Sequence, residues 1–144
     1  MSHSLDSLLK DAFSSLATTF QNTWHGRRER EIISLFCFGY LIHKCNPESF
    51  LNDPTQIGIE VPVPQIQKQL SLSGLTTAKA QVCKDIVIWP RPGMSCWDDS
   101  GFPTVVPSCI IEWKHNEKKI CDYDVQWLRE FSHGRPDFVG FAVC

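Results

Sequence analysis

The sequence predicts an α/β domain of the α+β kind, a small mixed sheet with helices packed on it. Three observations carry that expectation. Two segments with helical apolar spacing open the chain, three short β-rich segments follow, and a further helix precedes a final apolar strand. The order helix, helix, strand, strand, strand, helix, strand suits one layered domain. A length of 144 residues is enough for one such core and too little for two ordinary ones.

Leu5, Leu8, Leu9, Ala12, Phe13, Leu16 and Phe20 recur at helical spacing, with Ser4 as the candidate cap. Gln21 to Gly26 breaks this helix. A second helix is expected from about Arg27 to Lys44, charged in its first turn and almost wholly apolar afterwards, so buried on more than one side. Asn46-Pro47 closes it. From Gln56 to Val63 the residues Ile57, Ile59, Val61 and Val63 alternate with Gly58, Glu60 and Pro62. That is a strand pattern, in which Pro62 marks an edge or an end.

Pro64 to Lys79 is polar and takes no assignment. Ala80 to Trp89 reads as the second strand and Thr104 to Lys114, rich in β-branched residues, as the third. Between them Pro90 to Pro103 reads as a loop, with Asp98-Asp99-Ser100-Gly101 as ordinary turn chemistry. A turn over Asn116 to Lys119, a helix from about Asp122 as N-cap to Phe131, and a strand over Phe138 to Val143 complete the chain. The expected organisation is an N-terminal helical extension over 1-25 and a main domain over 26-144. The extension either caps the core or forms a homodimer seam.

A hydrophobic fraction of 42% and a charged fraction of 21% place the chain among folded globular proteins. A net charge of −2 argues against a sequence-independent DNA coater, which would be basic, and confines any nucleic-acid surface to a local patch. No apolar run reaches the roughly 18 residues of a membrane span, and Met1 to Lys10 lacks the basic start of a secretory signal. The seven cysteines are odd in number and none forms a CxxC pair, which disfavours structural zinc. A reducing cytoplasm is the expected location.

The third strand reads Ser108-Cys109-Ile110-Ile111-Glu112-Trp113-Lys114. Alternation puts Glu112 and Lys114 on one face, a carboxylate beside an amine at the end of an apolar strand. The second strand carries Asp85 near its start. If the two strands pair as an antiparallel hairpin, the start of one meets the end of the other, and Asp85 falls near Glu112. A hard cation such as Mg²⁺ needs only one or two carboxylates and keeps several waters. An adjacent amine can stabilise charge developing on a phosphate. The set is therefore a candidate site for phosphodiester hydrolysis.

Asp85, then Glu112-Trp113-Lys114 after a hairpin-length gap, resembles the signature of the PD-(D/E)XK nuclease superfamily. The order αβββαβ from the second helix onward is similar to its restriction-endonuclease-like core, here with an extra N-terminal helix. The helix start Gly26-Arg27-Arg28-Glu29-Arg30-Glu31 resembles the family's acidic first helix, in particular that of archaeal Holliday junction resolvases. The resemblance covers Gly26 to Val143.

It implies a Mg²⁺- or Mn²⁺-dependent deoxyribonuclease. Asp85, Glu112 and the Trp113 backbone carbonyl would be metal ligands, and Lys114 would position water and stabilise the transition state. Glu29 would hold a metal-bound water or a second cation, with Glu31 its rival. Gln126 and Arg129 on the last helix are candidate substrate contacts. The chain departs from the pattern at Lys84, where the family often has proline, and at Trp113, where smaller residues are usual.

Blander readings stand beside these. A lone Glu-x-Lys is usually a solvated ion pair, and Glu29 and Glu31 suit a helix first turn for electrostatic reasons alone. Glu60 reads as solvent-facing. The histidines show no ligand spacing, and the tryptophans read as core. The expected partner is DNA, with target choice coming from DNA structure, a homodimer surface, the N-terminal helix or a partner protein, because no helix-turn-helix or zinc module is recognisable. The alternative function is a catalytically inactive module that keeps the fold and binds nucleic acid or protein.

Overall fold

A computed structural model describes residues 4–20, 28–66, 81–114 and 122–144. The expected break at 21–26, most of the unassigned stretch 64–79, and the turn at 116–119 lie outside the described residues, as do His3, His25, His115 and Cys121.

Helix α1 spans Leu5–Phe20, as its spacing predicts, and Ser4 Oγ accepts the Ser7 N–H at 3.3 Å. Its stripe Leu5, Leu8, Leu9, Ala12 and Leu16 is buried in the same core as the sheet, so this helix caps the domain. Helix α2 spans Glu29–Phe36. The helix expected to run on to Lys44 changes pitch instead, through a π-helical turn at Cys37–Leu41 and a 3₁₀ turn at Ile42–Lys44. Strand β1 spans Ile57–Pro64, β2 Gln81–Ile88, β3 Cys109–Trp113 and β4 Val139–Val143; helix α3 spans Asp122–Ser132.

The third strand is shorter than Thr104 to Lys114. Thr104 and Val105 send their N–H groups to the Cys96 carbonyl, and Pro107 has none to give, so the ladder begins only at Cys109. The Asp98 turn forms as expected: its Oδ1 accepts from Ser100 and Phe102 at 2.9 Å, and Gly101 takes φ 80°.

The sheet order is β1-β2-β3-β4. β1 and β2 pair antiparallel, as do β2 and β3, while β3 and β4 are parallel and are joined through α3, the kind of crossover a parallel pair needs. One face packs on α1 and α2 through Ile86, Ile88, Cys109, Ile111 and Trp113. The other packs on α3, where Val63, Val87 and Ile110 meet Trp127, Leu128 and Phe131. No helix among the described residues is long and apolar enough to cross a membrane.

One feature of the sheet breaks simple alternation. Ile57 and Ile59 join the α1–α2 core, yet Val61 and Val63 join the α3 core. β2 switches in step: Ile86 and Ile88 face α1–α2, whereas Val82 packs on the α3 side. The switch falls at Glu60 and Asp85, the one position skipped in the register between Ile59↔Ile86 and Val61↔Lys84. Glu60 has φ 54°, a left-handed conformation unusual outside glycine. Gly58 permits the bend, since a Cβ there would collide with the Val61 side chain.

Candidate active site

The bend in β2 sets the site. β2 and β3 pair through Ile86↔Ile111 and no further toward the end of β3 that carries Glu112. Past that point the Trp113 N–H, which would have met the β2 backbone, donates instead to Asp85 Oδ2 at 2.7 Å. In a strand the N–H and C=O of one residue point the same way. Lys114 N–H bonds the Val143 carbonyl on the β4 side, so the Trp113 carbonyl faces the same gap as Asp85.

Ile110, Glu112 and Lys114 alternate onto the α3 face. The bend turns Lys84 onto that face too. Its ammonium is ion-paired and hydrogen-bonded to Glu112 Oε1 and sits 3.7 Å from the centroid of the Trp127 ring. The Lys84 side chain is 1% exposed and that of Glu112 7%, so this pair is out of bulk water. Lys114 lies 3.7 Å from Asp124 Oδ2 on the first turn of α3. That oxygen is buried and has no hydrogen-bond partner among the described residues.

The electrostatics tie these groups into one cluster. Burial pushes the Asp85 carboxyl above its ordinary value; the Trp113 N–H, Lys114 and a hydrogen bond with Glu112 oppose the rise, and Glu29 adds to it. Burial raises Glu112 to about 7 against the pull of Lys84, with Asp85 and Asp124 adding to the rise. Partial burial lowers the Lys114 pKa, but Asp124, Glu29, Asp85 and Glu112 together outweigh it and raise it.

Asp85, Glu112, Lys114 and Glu29 are thus brought together. Glu31 is exposed on α2, outside these interactions. Gln126 bonds Glu130 at 3.0 Å along the outside of α3, and Arg129 borders the groove between α3 and β4. Neither belongs to the cluster. Glu60 is exposed, as expected, and pairs with Arg30 at 2.6 Å.

Lys84 and Asp124 were not singled out by sequence reasoning. Strict alternation along β2 sends Lys84 to the wrong face, and Asp124 reads as helix first-turn chemistry. The available signal was a lysine beside Asp85 in a strand whose other inner positions are apolar.

Among the described residues no group of three or more His, Cys, Asp or Glu side chains forms a ready-made metal cage. A Mg²⁺ ion needs less than that. Asp85 Oδ1 and Glu112 Oε2, the oxygens not engaged by Trp113 and Lys84, together with the Trp113 carbonyl, supply a hard oxygen set in a half-buried, acid-rich gap. The donor set fits a hard divalent cation and not a soft one. The six described cysteines are free, and Cys83, two residues from Asp85, is exposed on β2. No family model, curated protein or solved structure matches the chain.

Proposed function

We propose that the protein is a Mg²⁺- or Mn²⁺-dependent nuclease of the PD-(D/E)XK type that hydrolyses DNA phosphodiesters. The observation that carries this reading is the meeting of Asp85 and Glu112, in mutual hydrogen-bonding reach, at the gap between β2 and β3, with Lys114 coupled to both and Glu29 coupled to Asp85 and Lys114. The sheet order with only β2 reversed, flanked by α2 and α3, supports it. In this reading Asp85, Glu112 and the Trp113 carbonyl hold the cation, which supplies an activated water when bound. Lys114 steadies the phosphate oxygen on which charge develops, and Glu29 holds a water at the rim.

The test is incubation of the purified chain with linear, nicked, branched and single-stranded DNA, with Mg²⁺, Mn²⁺ or chelator. Metal-dependent cleavage is expected, and Glu112→Ala or Lys114→Ala should reduce it by about a hundredfold or more. Cleavage that persists in both variants, or in chelator, refutes the assignment.

A second reading has an observation of its own. Glu112 is already ion-paired with Lys84 and Lys114 with Asp124, as in a site kept for structure within a binding module. That module would bind DNA or a protein partner without cleaving. No cleavage of any substrate, with retention of DNA in a shift assay, favours it.

A further inference from the structure

Within the described cluster each ammonium has its own carboxylate. Lys84 holds Glu112 and Lys114 holds Asp124, leaving Asp85 with the Trp113 N–H as its donor from the main chain. Lys84 is also immobilised: its stem is buried in the α3 core, and its ammonium is fixed between Glu112 Oε1 and the face of Trp127. With its ammonium on Glu112 Oε1, Lys84 occupies the place of any second cation that would share this carboxylate.

We propose that Lys84 is a tethered cation that permanently fills this second position and limits the site to one divalent ion, bound by Asp85 and the other oxygen of Glu112. The inference rests on the cation site of the preceding section, not on cleavage.

Two lines of physics favour it. Asp85, Glu112 and Asp124 against Lys84 and Lys114 leave one negative charge, with Glu29 a fourth carboxylate in reach. One divalent ion more than neutralises those five groups. A second beside Lys84 would leave a large positive charge in a poorly solvated gap, which is costly. Geometry says the same: withdrawing Lys84 from Glu112 would strand an ammonium beneath α3, with the Trp127 ring as its remaining partner there.

The experiment counts ions on the whole chain. Mn²⁺ titration followed by electron paramagnetic resonance is expected to give one ion per wild-type chain. Crystals grown with Mn²⁺ should show one anomalous peak beside Asp85, with Lys84 still on Glu112. Lys84→Met should admit a second ion or bind the first at least tenfold more tightly, and Lys84→Arg should keep the count at one.

Two ions per wild-type chain overturn the proposal while leaving the cation site standing. So does one ion with Lys84 swung away, or a folded Lys84→Met that binds one ion no more tightly. If Lys84→Met does not fold, the wild-type count and the anomalous map decide alone. A wild-type chain that binds no Mn²⁺ sinks the cation site itself, a distinct result.

Discussion

Asp85 accepts the Trp113 N–H at 2.7 Å and so takes the place of the backbone partner that β3 loses where β2 bends away. The carboxylate therefore has a folding role apart from any cation. Asp85→Asn keeps a carbonyl oxygen for that N–H and should unfold in urea within about 1 kcal/mol of wild type. Asp85→Ala leaves the amide of a buried residue unsatisfied and should cost about 1–3 kcal/mol more. Both should abolish Mn²⁺ binding. Equal stability of the two variants would mean that the bond contributes nothing.

The raised carboxyls make a signed prediction for pH. A carboxyl with a higher pKa folded than unfolded holds its proton more tightly in the folded chain, so it stabilises the fold in acid. Glu112 moves from 4.5 to about 7. Between those values the folded chain carries the extra proton, and stability should fall as pH rises across that window, levelling off above 7. Asp85, also raised, adds a slope of the same sign. Urea midpoints in chelator across pH 4 to 8 measure it, and Glu112→Gln should flatten the upper part. A slope that is unchanged in that variant assigns the titration elsewhere.

Much of this was legible in the chain. The α1 stripe and the alternation of β1 predict those elements because both are simple periodic patterns, and Asp85 with Glu112 and Lys114 follows from an antiparallel pairing that forms. The placement of Lys84 was hidden for a local reason. The half-turn at Glu60 and Asp85 depends on a left-handed glutamate, and glutamate carries no turn signal. Strict alternation along β2 therefore puts the residues before Asp85, Lys84 among them, on the opposite face from the one they take. Asp124 was hidden because its role depends on where α3 sits over β3, a long-range fact.

That bend can be tested where it is strained. Glu60 sits at φ 54°, a conformation that costs a non-glycine residue roughly 1–2 kcal/mol. Its exposed ion pair with Arg30 returns little, about 0–1 kcal/mol. Glu60→Gly should match or exceed wild-type stability, and Glu60→Ala should be about 1 kcal/mol less stable than Glu60→Gly. Chemical denaturation of the three proteins decides. If Ala and Gly are equivalent, residue 60 is not left-handed in solution and the face switch of β1 is wrong.

The Lys84–Glu112 pair makes the strongest stability prediction, because both partners are almost fully buried. Removing one leaves the other charged without a partner, so Lys84→Ala should cost about 3–5 kcal/mol near pH 8. At pH 5 Glu112 can take up a proton instead, and the cost should shrink. Lys84→Met combined with Glu112→Leu removes both charges and keeps most of the volume. It should lose less than the sum of its single variants, with a coupling of about 1–3 kcal/mol. Urea denaturation of the four proteins at both pH values closes the cycle. Additive losses that do not change with pH would show that the ammonium and the carboxylate do not meet in solution. The tethered-cation proposal would then lose its footing, while the Asp85 hydrogen bond would be untouched.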